Sequence, residues 1–139
     1  MSRINTLLIL LLVVMSGLAI QPALAETPNQ ILSAVESSAK TAPEFRGFSA
    51  TRGEQFFKST HGNDWSCASC HTEDPAGSGK HAKTNKVIKA LAPSANAERL
   101  TDPAKVEKWF KRNCNDVLGR VCTPQEKGDV IAYLLTTRK

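Results

Sequence analysis

At 139 residues, with 41% hydrophobic and 22% charged positions, the chain has the size and mix of one globular domain. Those figures exclude a multi-domain enzyme, a collagen-like repeat and an acidic disordered chain. The formal charge of +5 is modest and does not demand a nucleic-acid partner, and none is expected. Aromatic residues make up only 6%, so the protein core alone is thin.

Residues 1–25 read as a signal peptide. Arg3 supplies a positive start, an apolar run extends from Leu7 to Ile20, and Pro22 breaks it. Ala23-Leu24-Ala25 then gives the small–x–small pattern of a cleavage site. The run is shorter than the roughly 20 residues of a membrane span. The expectation is export to the periplasm, with no stable membrane insertion after cleavage. Disulfides form in that compartment. Both methionines, Met1 and Met15, fall in this segment, so the chain from Glu26 to Lys139 has none.

Residues 26–48 read as an N-terminal extension with one weak helix. Asn29 is its expected cap, and Ile31, Leu32 and Val35 form its apolar face. Ser37 to Arg46 looks like a linker. A domain over residues 49–139 follows. Its first helix spans Ser49 to Lys58 and takes its apolar weight from Phe56 and Phe57. Gly53 inside it costs about 1 kcal/mol against Ala. It marks either a close approach by another helix or a tolerated surface glycine. The next helix has Asp102 as cap and Pro103 at its first position. Val106, Trp109, Phe110 and Asn113 share one face of it. The last helix opens with a capping box, Thr123-Pro124-Gln125-Glu126. Val130, Ile131, Leu134 and Leu135 form its buried stripe, with Tyr133 alongside and Lys127 on the other side. No run alternates as a strand does, which predicts an all-α fold without a sheet.

Cys67-Ala68-Ser69-Cys70-His71 is C-x-x-C-H, the attachment motif of c-type haem. Two thiols three residues apart reach the two vinyl groups as thioethers, and His71 becomes the proximal iron ligand. A zinc site needs four ligands and a second cysteine pair, which the sequence lacks. A thioredoxin-like pair needs a βαβ setting, also missing. Haem, a large apolar disc, answers the thin core, and the chain without it should fold poorly.

The sixth iron ligand is open on sequence grounds. Methionine is excluded if the signal is removed. His61, His81, a lysine, Asn113 or no ligand remain. The two histidines lie ten residues either side of His71, in loop-like sequence. Asn113 is a polar amide on an apolar stripe and needs a partner, which iron supplies. Alternatively it ends its helix, as Asn often does. Cys114 and Cys122 are left over and, in an exported chain, read as a disulfide just after Asn113. A thiol–disulfide protein acting through this pair is a competing reading.

These residues resemble class I cytochrome c, and more narrowly the sphaeroides haem protein family of oxygen-binding c cytochromes. The resemblance runs from about Thr51 to Leu135. It is carried by Cys67, Cys70, His71, Leu91-Ala92-Pro93-Ser94, Thr101 to Trp109, Arg112-Asn113-Cys114, Cys122 and Thr123. It implies a class I cytochrome c fold around one covalent haem c, with Pro93 in the haem-binding segment. It implies His71 and Asn113 as axial ligands and a Cys114–Cys122 bridge beside the haem. It further implies that Asn113 leaves the iron on reduction, so that oxygen, nitric oxide or another small ligand binds. The implied electron donors are a dihaem cytochrome c and a membrane cytochrome b. Turnover as an oxidase or reductase of small oxygen or nitrogen species stays open. The alternative is a closed six-coordinate electron carrier with a His or Lys distal ligand. Arg99 and Trp109 are the expected haem propionate contacts. Lys80, Lys83, Lys86 and Lys89, and a second set at Lys105, Lys108 and Lys111, are expected to dock an acidic partner, to balance propionates, or to form a plain solvated surface.

Overall fold

The computed structural model describes residues 25–139; the expected signal peptide lies, apart from Ala25, outside the described residues. Five helices and one small hairpin follow in chain order. They are α1 (Pro28–Ala39), α2 (Ala50–Lys58), α3 (Ala68–His71), β1 (Gly79–Lys80), β2 (Val87–Ile88), α4 (Pro103–Leu118) and α5 (Pro124–Thr136). Among the described residues no helix is long and apolar enough to cross a membrane.

The sequence marks most helix ends. Ser49 caps α2 through Arg52 N–H, Asp102 caps α4 through Lys105 N–H, and Thr123 and Glu126 form the full capping box of α5. For α1 the cap is Thr27, not Asn29. Thr27 and Gln30 make a second capping box, with Pro28 at the first helical position. A Thr–Pro start satisfies the orphan N–H groups two residues earlier than Asn29 would. The helix also runs on to Ala39, so the connection begins at Lys40 rather than Ser37. Ala39, 1% exposed, explains the extension, because the last turn is itself buried.

α2 and α5 cross at closest contact. Gly53 sits at the crossing: a Cβ built there would meet the Asp129 carbonyl oxygen at 1.9 Å. This decides the role of that glycine in favour of close approach. Phe57, Val130, Ile131, Tyr133 and Leu134 form the core at this crossing, and Ile31 of α1 joins them. Residues 26–48 therefore share the core of the rest of the chain. Asp129 is the buried carboxylate of the crossing. It accepts from Ser49 N–H (2.7 Å), from Arg52 Nε and Nη2 (2.9 Å each) and from Gln125 Nε2 (3.1 Å).

The expectation of no sheet fails locally. Gly79 pairs with Ile88 and Lys80 with Val87 in an antiparallel ribbon. Strands of two residues are too short to show alternation, so the sequence carries no period-two signal here. The fold remains mostly helical.

α4 is held at its N-terminal end. Glu26 N–H bonds to Thr101 O (2.9 Å) just before it, and Lys127 Nζ meets Glu107 at 2.7 Å. Its side chains Val106 and Phe110 touch the core at partial burial. Trp109, expected on the same apolar face, is 44% exposed. At 100° per residue it lies on the flank of that face, and its ring carries Arg112 at 5.5 Å instead.

Candidate haem site

The C-x-x-C-H motif folds as a single helical turn. Cys67 stands at the start of α3, and Cys70 and His71 N–H both bond to the Cys67 carbonyl (3.3 and 3.0 Å). The two thiols thus sit about one turn apart, with His71 next in line. Ser66 and Ser69 brace the turn through mutual hydroxyl and backbone hydrogen bonds. Thr72 then leaves the helix at φ 64°, and its hydroxyl donates to Asp74 O at 2.6 Å. Left-handed backbone at a threonine is costly, and here it ends the helix at His71.

His71 lies against the core. Its ring is 6.3 Å from the Phe57 ring, and Phe57 is 5.6 Å from Tyr133. Burial, helped by the nearby Arg99 charge, pushes the His71 imidazole down to about 4. The ring is neutral, as a metal ligand must be. Burial pushes the Cys67 thiol up to about 11. Cys67 and Cys70 are unbridged, whereas Cys114 and Cys122 lie with sulfurs 1.99 Å apart and form a disulfide. The donor set of two free thiols and one neutral imidazole on one turn fits covalent haem. A closed zinc centre does not fit: among the described residues no three His, Cys, Asp or Glu side chains are arranged to hold one metal ion.

Asn113 occupies the interior of α4, which continues to Leu118 and ends in the left-handed cap Gly119. It therefore does not terminate the helix. It is half-buried, and its carboxamide makes no hydrogen bond among the described residues. The disulfide follows at the next residue and joins α4 to Cys122, the residue before the α5 cap.

Arg99 is half-buried with two commitments. Its Nε donates to Ala90 O and its Nη2 to Lys89 O, each at 2.9 Å. Pro93 lies in the turn after Ala92, which is fully buried. The Leu91 and Ala92 N–H groups both donate to Pro75 O (2.8 and 2.9 Å), which ties this turn to the segment after His71.

The other histidines are occupied elsewhere. His61 places Nε2 2.8 Å from Phe56 O, with its ring 4.3 Å from that of Phe56. His81 accepts at Nδ1 from Lys83 and Thr84 N–H, each at 3.3 Å, within the hairpin turn. Sequence reasoning missed two positioning groups. Gly79 lets β1 lie on α3, for a Cβ there would meet Cys70 O at 1.9 Å. Asp129 locks α2, which carries Phe57. A glycine beside another glycine-serine stretch and an acid inside an apolar stripe were the available signals.

A family model described as a domain of unknown function, DUF1924, matches residues 43–134. Cytochrome c'' of Methylophilus methylotrophus is 48% identical over 101 residues, which is 70% of each chain. The cytochrome c-type protein SHP of Cereibacter sphaeroides is 41% identical over 127 residues, 87% of this chain and 94% of its own. Among solved structures, oxidised cytochrome c'' superposes with a TM-score of 0.70 at 41% identity, over 81% of this chain and 95% of that one. Oxidised SHP, an oxygen-binding cytochrome c, gives 0.69 at 44% identity, over 79% and 96%. The chain belongs to the sphaeroides haem protein family of class I c-type cytochromes, and its cofactor is a covalently bound haem c.

Proposed function

We propose that the protein binds a small ligand such as oxygen or nitric oxide at its haem, and that Asn113 controls access by leaving the iron on reduction. The observation that carries this is the free carboxamide of Asn113, held mid-helix one residue before the disulfide. Two relatives support it: SHP is an oxygen-binding cytochrome c, and cytochrome c'' has been studied for haem-ligand detachment. The haem supplies an iron that changes by one electron and, when ferrous and open, takes a small ligand.

The chain's residues divide the remaining work. Cys67 and Cys70 would hold the vinyl groups as thioethers. His71 would hold the iron through its neutral imidazole, backed by Phe57. Asn113 offers a neutral amide oxygen, a weak donor that suits ferric iron better than ferrous. Once free, its NH₂ can donate a hydrogen bond to the incoming ligand. The switch is thus a bistable side chain biased by one electron. The disulfide keeps the backbone at Asn113 fixed while the amide moves. The remaining Arg99 Nη1, and the indole N–H of Trp109, are the groups offered to the propionates. Pro93 would border the haem from the turn tied to Pro75. In this reading the protein works in the periplasm after removal of residues 1–25. A dihaem cytochrome c and a membrane cytochrome b are the proposed electron donors.

Optical spectra of the holoprotein, reduced without air before and after carbon monoxide, test the proposal. The expected result is a high-spin ferrous spectrum that shifts with the gas. Sharp low-spin ferrous bands indifferent to carbon monoxide would overturn it in favour of a closed carrier with His61, His81 or a lysine as sixth ligand. In Asn113→Leu, oxygen affinity should fall about fivefold, the worth of one hydrogen bond near 1 kcal/mol. Unchanged affinity removes Asn113 as the donor.

A further inference from the structure

From Pro75 to Ala97 the chain carries no Asp or Glu, yet it carries Lys80, Lys83, Lys86 and Lys89. The fold gathers these residues on the β1–β2 hairpin. All four are exposed, and none forms an ion pair among the described residues. Val87 stands among them, 72% exposed, directly across the ribbon from Lys80. Lys83 Nζ lies 5.0 Å from the Trp65 ring, two residues before Cys67. The patch is therefore a cationic surface around one exposed valine, complementary in charge to an acidic protein face.

The hairpin is pre-formed. His81 N–H bonds to Lys86 O and Asn85 N–H to His81 O, each at 2.9 Å, and the His81 ring caps the turn. A surface that needs no ordering binds with less entropic cost. The hairpin also touches the motif itself. The Gly79 backbone packs on Cys70 so closely that a Cβ would meet Cys70 O at 1.9 Å and His71 Cα at 3.0 Å. A partner seated on the ribbon is one strand away from the attachment turn. The second lysine set differs. Lys105 pairs with Asp102 at 3.4 Å, and Glu107 lies within the row.

We propose that the β1–β2 hairpin, through Lys80, Lys83, Lys86, Lys89 and Val87, is the docking face for an acidic redox protein. There, one electron passes from the partner's reduced centre to the ferric haem, with no proton or group transferred. The proposal rests on the reading that Cys67, Cys70 and His71 hold the haem, but not on ligand release by Asn113. An apolar content of one exposed valine is too small to anchor the chain in a lipid surface.

The test uses the holoprotein with flavodoxin, a small acidic flavoprotein, as the probe. Its hydroquinone gives one electron and becomes the semiquinone. The Lys80→Glu/Lys86→Glu double variant should lose at least tenfold in the second-order rate of reduction at low salt, a difference that shrinks as salt is added. Reduction by hexaammineruthenium(II), a small cation, should not fall. Lys105→Glu/Lys108→Glu should change the flavodoxin rate by less than about threefold. Titration with oxidised flavodoxin should shift amide resonances in Gly79 to Lys89 first. Equal losses in the two double variants, or shifts centred on α4, overturn the proposal. So does a hairpin variant that loses binding to phosphatidylglycerol vesicles while keeping its flavodoxin rate. If the carbon monoxide experiment shows a closed haem while the hairpin variants still slow reduction, only the ligand-binding reading has failed.

Discussion

Gly53→Ala is a sharp test of the crossing that supports His71. Helix propensity alone says the change stabilises α2 by about 1 kcal/mol. The structure says the opposite. The new Cβ would lie 1.9 Å from Asp129 O, 2.4 Å from its carbonyl carbon and 2.9 Å from Val130 N. All three are backbone atoms, so no rotamer change relieves them. Restoring an ordinary contact requires the helices to separate by about 1.5 Å, and overpacking of this kind costs about 1–3 kcal/mol. That movement also stretches the Asp129 bonds to Ser49 N–H (2.7 Å) and Arg52 (2.9 Å). Losing a buried partner costs about 3–5 kcal/mol, and the lower end applies because the Arg52 side chain is 31% exposed. After the propensity gain, a net loss of about 3–5 kcal/mol is expected, and at 4–8 °C per kcal/mol a fall in Tm of roughly 15–30 °C. Thermal melts of the holoprotein by far-UV circular dichroism measure it, with Thr51→Ala as the exposed control on the same helix. Because α2 carries Phe57, the Soret band should broaden as well. A Tm equal to or above wild type would refute the close-approach argument.

Two further predictions concern the α4–α5 junction. Replacing Cys114 and Cys122 together by Ser removes a crosslink over 8 residues. The chain-entropy model gives a loss of about 2.5 kcal/mol and a Tm drop of about 10–20 °C; an unchanged Tm would show that the α4 contacts suffice alone. Glu126 supplies a pH dependence. Burial alone would raise its carboxyl, but hydrogen bonds from Arg120 and from Thr123 outweigh burial and hold it below the ordinary value. A depressed folded value means stabilisation that is complete above the unfolded pKa, about 4.3, and lost as pH falls through the folded one. Glu126→Gln keeps a side chain able to complete the capping box but loses the Arg120 ion pair, so it should cost up to about 1 kcal/mol at neutral pH and progressively less below about pH 4. Melting curves that keep a constant separation across that range would exclude Glu126 as the titrating group.

The chain's punctuation was readable where a residue acts on its own backbone. Asp102 and Thr123 both cap the helices expected of them. The haem motif was readable for the same reason, since its five residues act within one turn. What stayed hidden depends on partners distant in sequence. Asp129 looks like a misplaced acid until Arg52, 77 residues away, is beside it. Gly53 was ambiguous because a glycine announces freedom, not its neighbour. The hairpin was missed because its register comes from Gly79 resting on α3, a contact with no period in the sequence. Trp109 was misread because four residues at helical spacing define a face about 100° wide, and its flank is open to water.

The Asp129 cluster also orders the chain's closure. Its hydrogen bonds join residues up to 80 apart, so α2 and α5 become the two ends of one large loop. Cys67, Cys70, His71 and Asn113 all lie inside that loop. Bringing those ends together is slow, because loop entropy must be overcome before the contacts repay it. A chain still open at this joint exposes its cysteines along an extended segment; a chain that has shut presents Cys67 partly buried against the core. The lock lies remote from the motif, and it divides the life of the polypeptide into a stage when the thiols are freely accessible and a stage when they are partly covered.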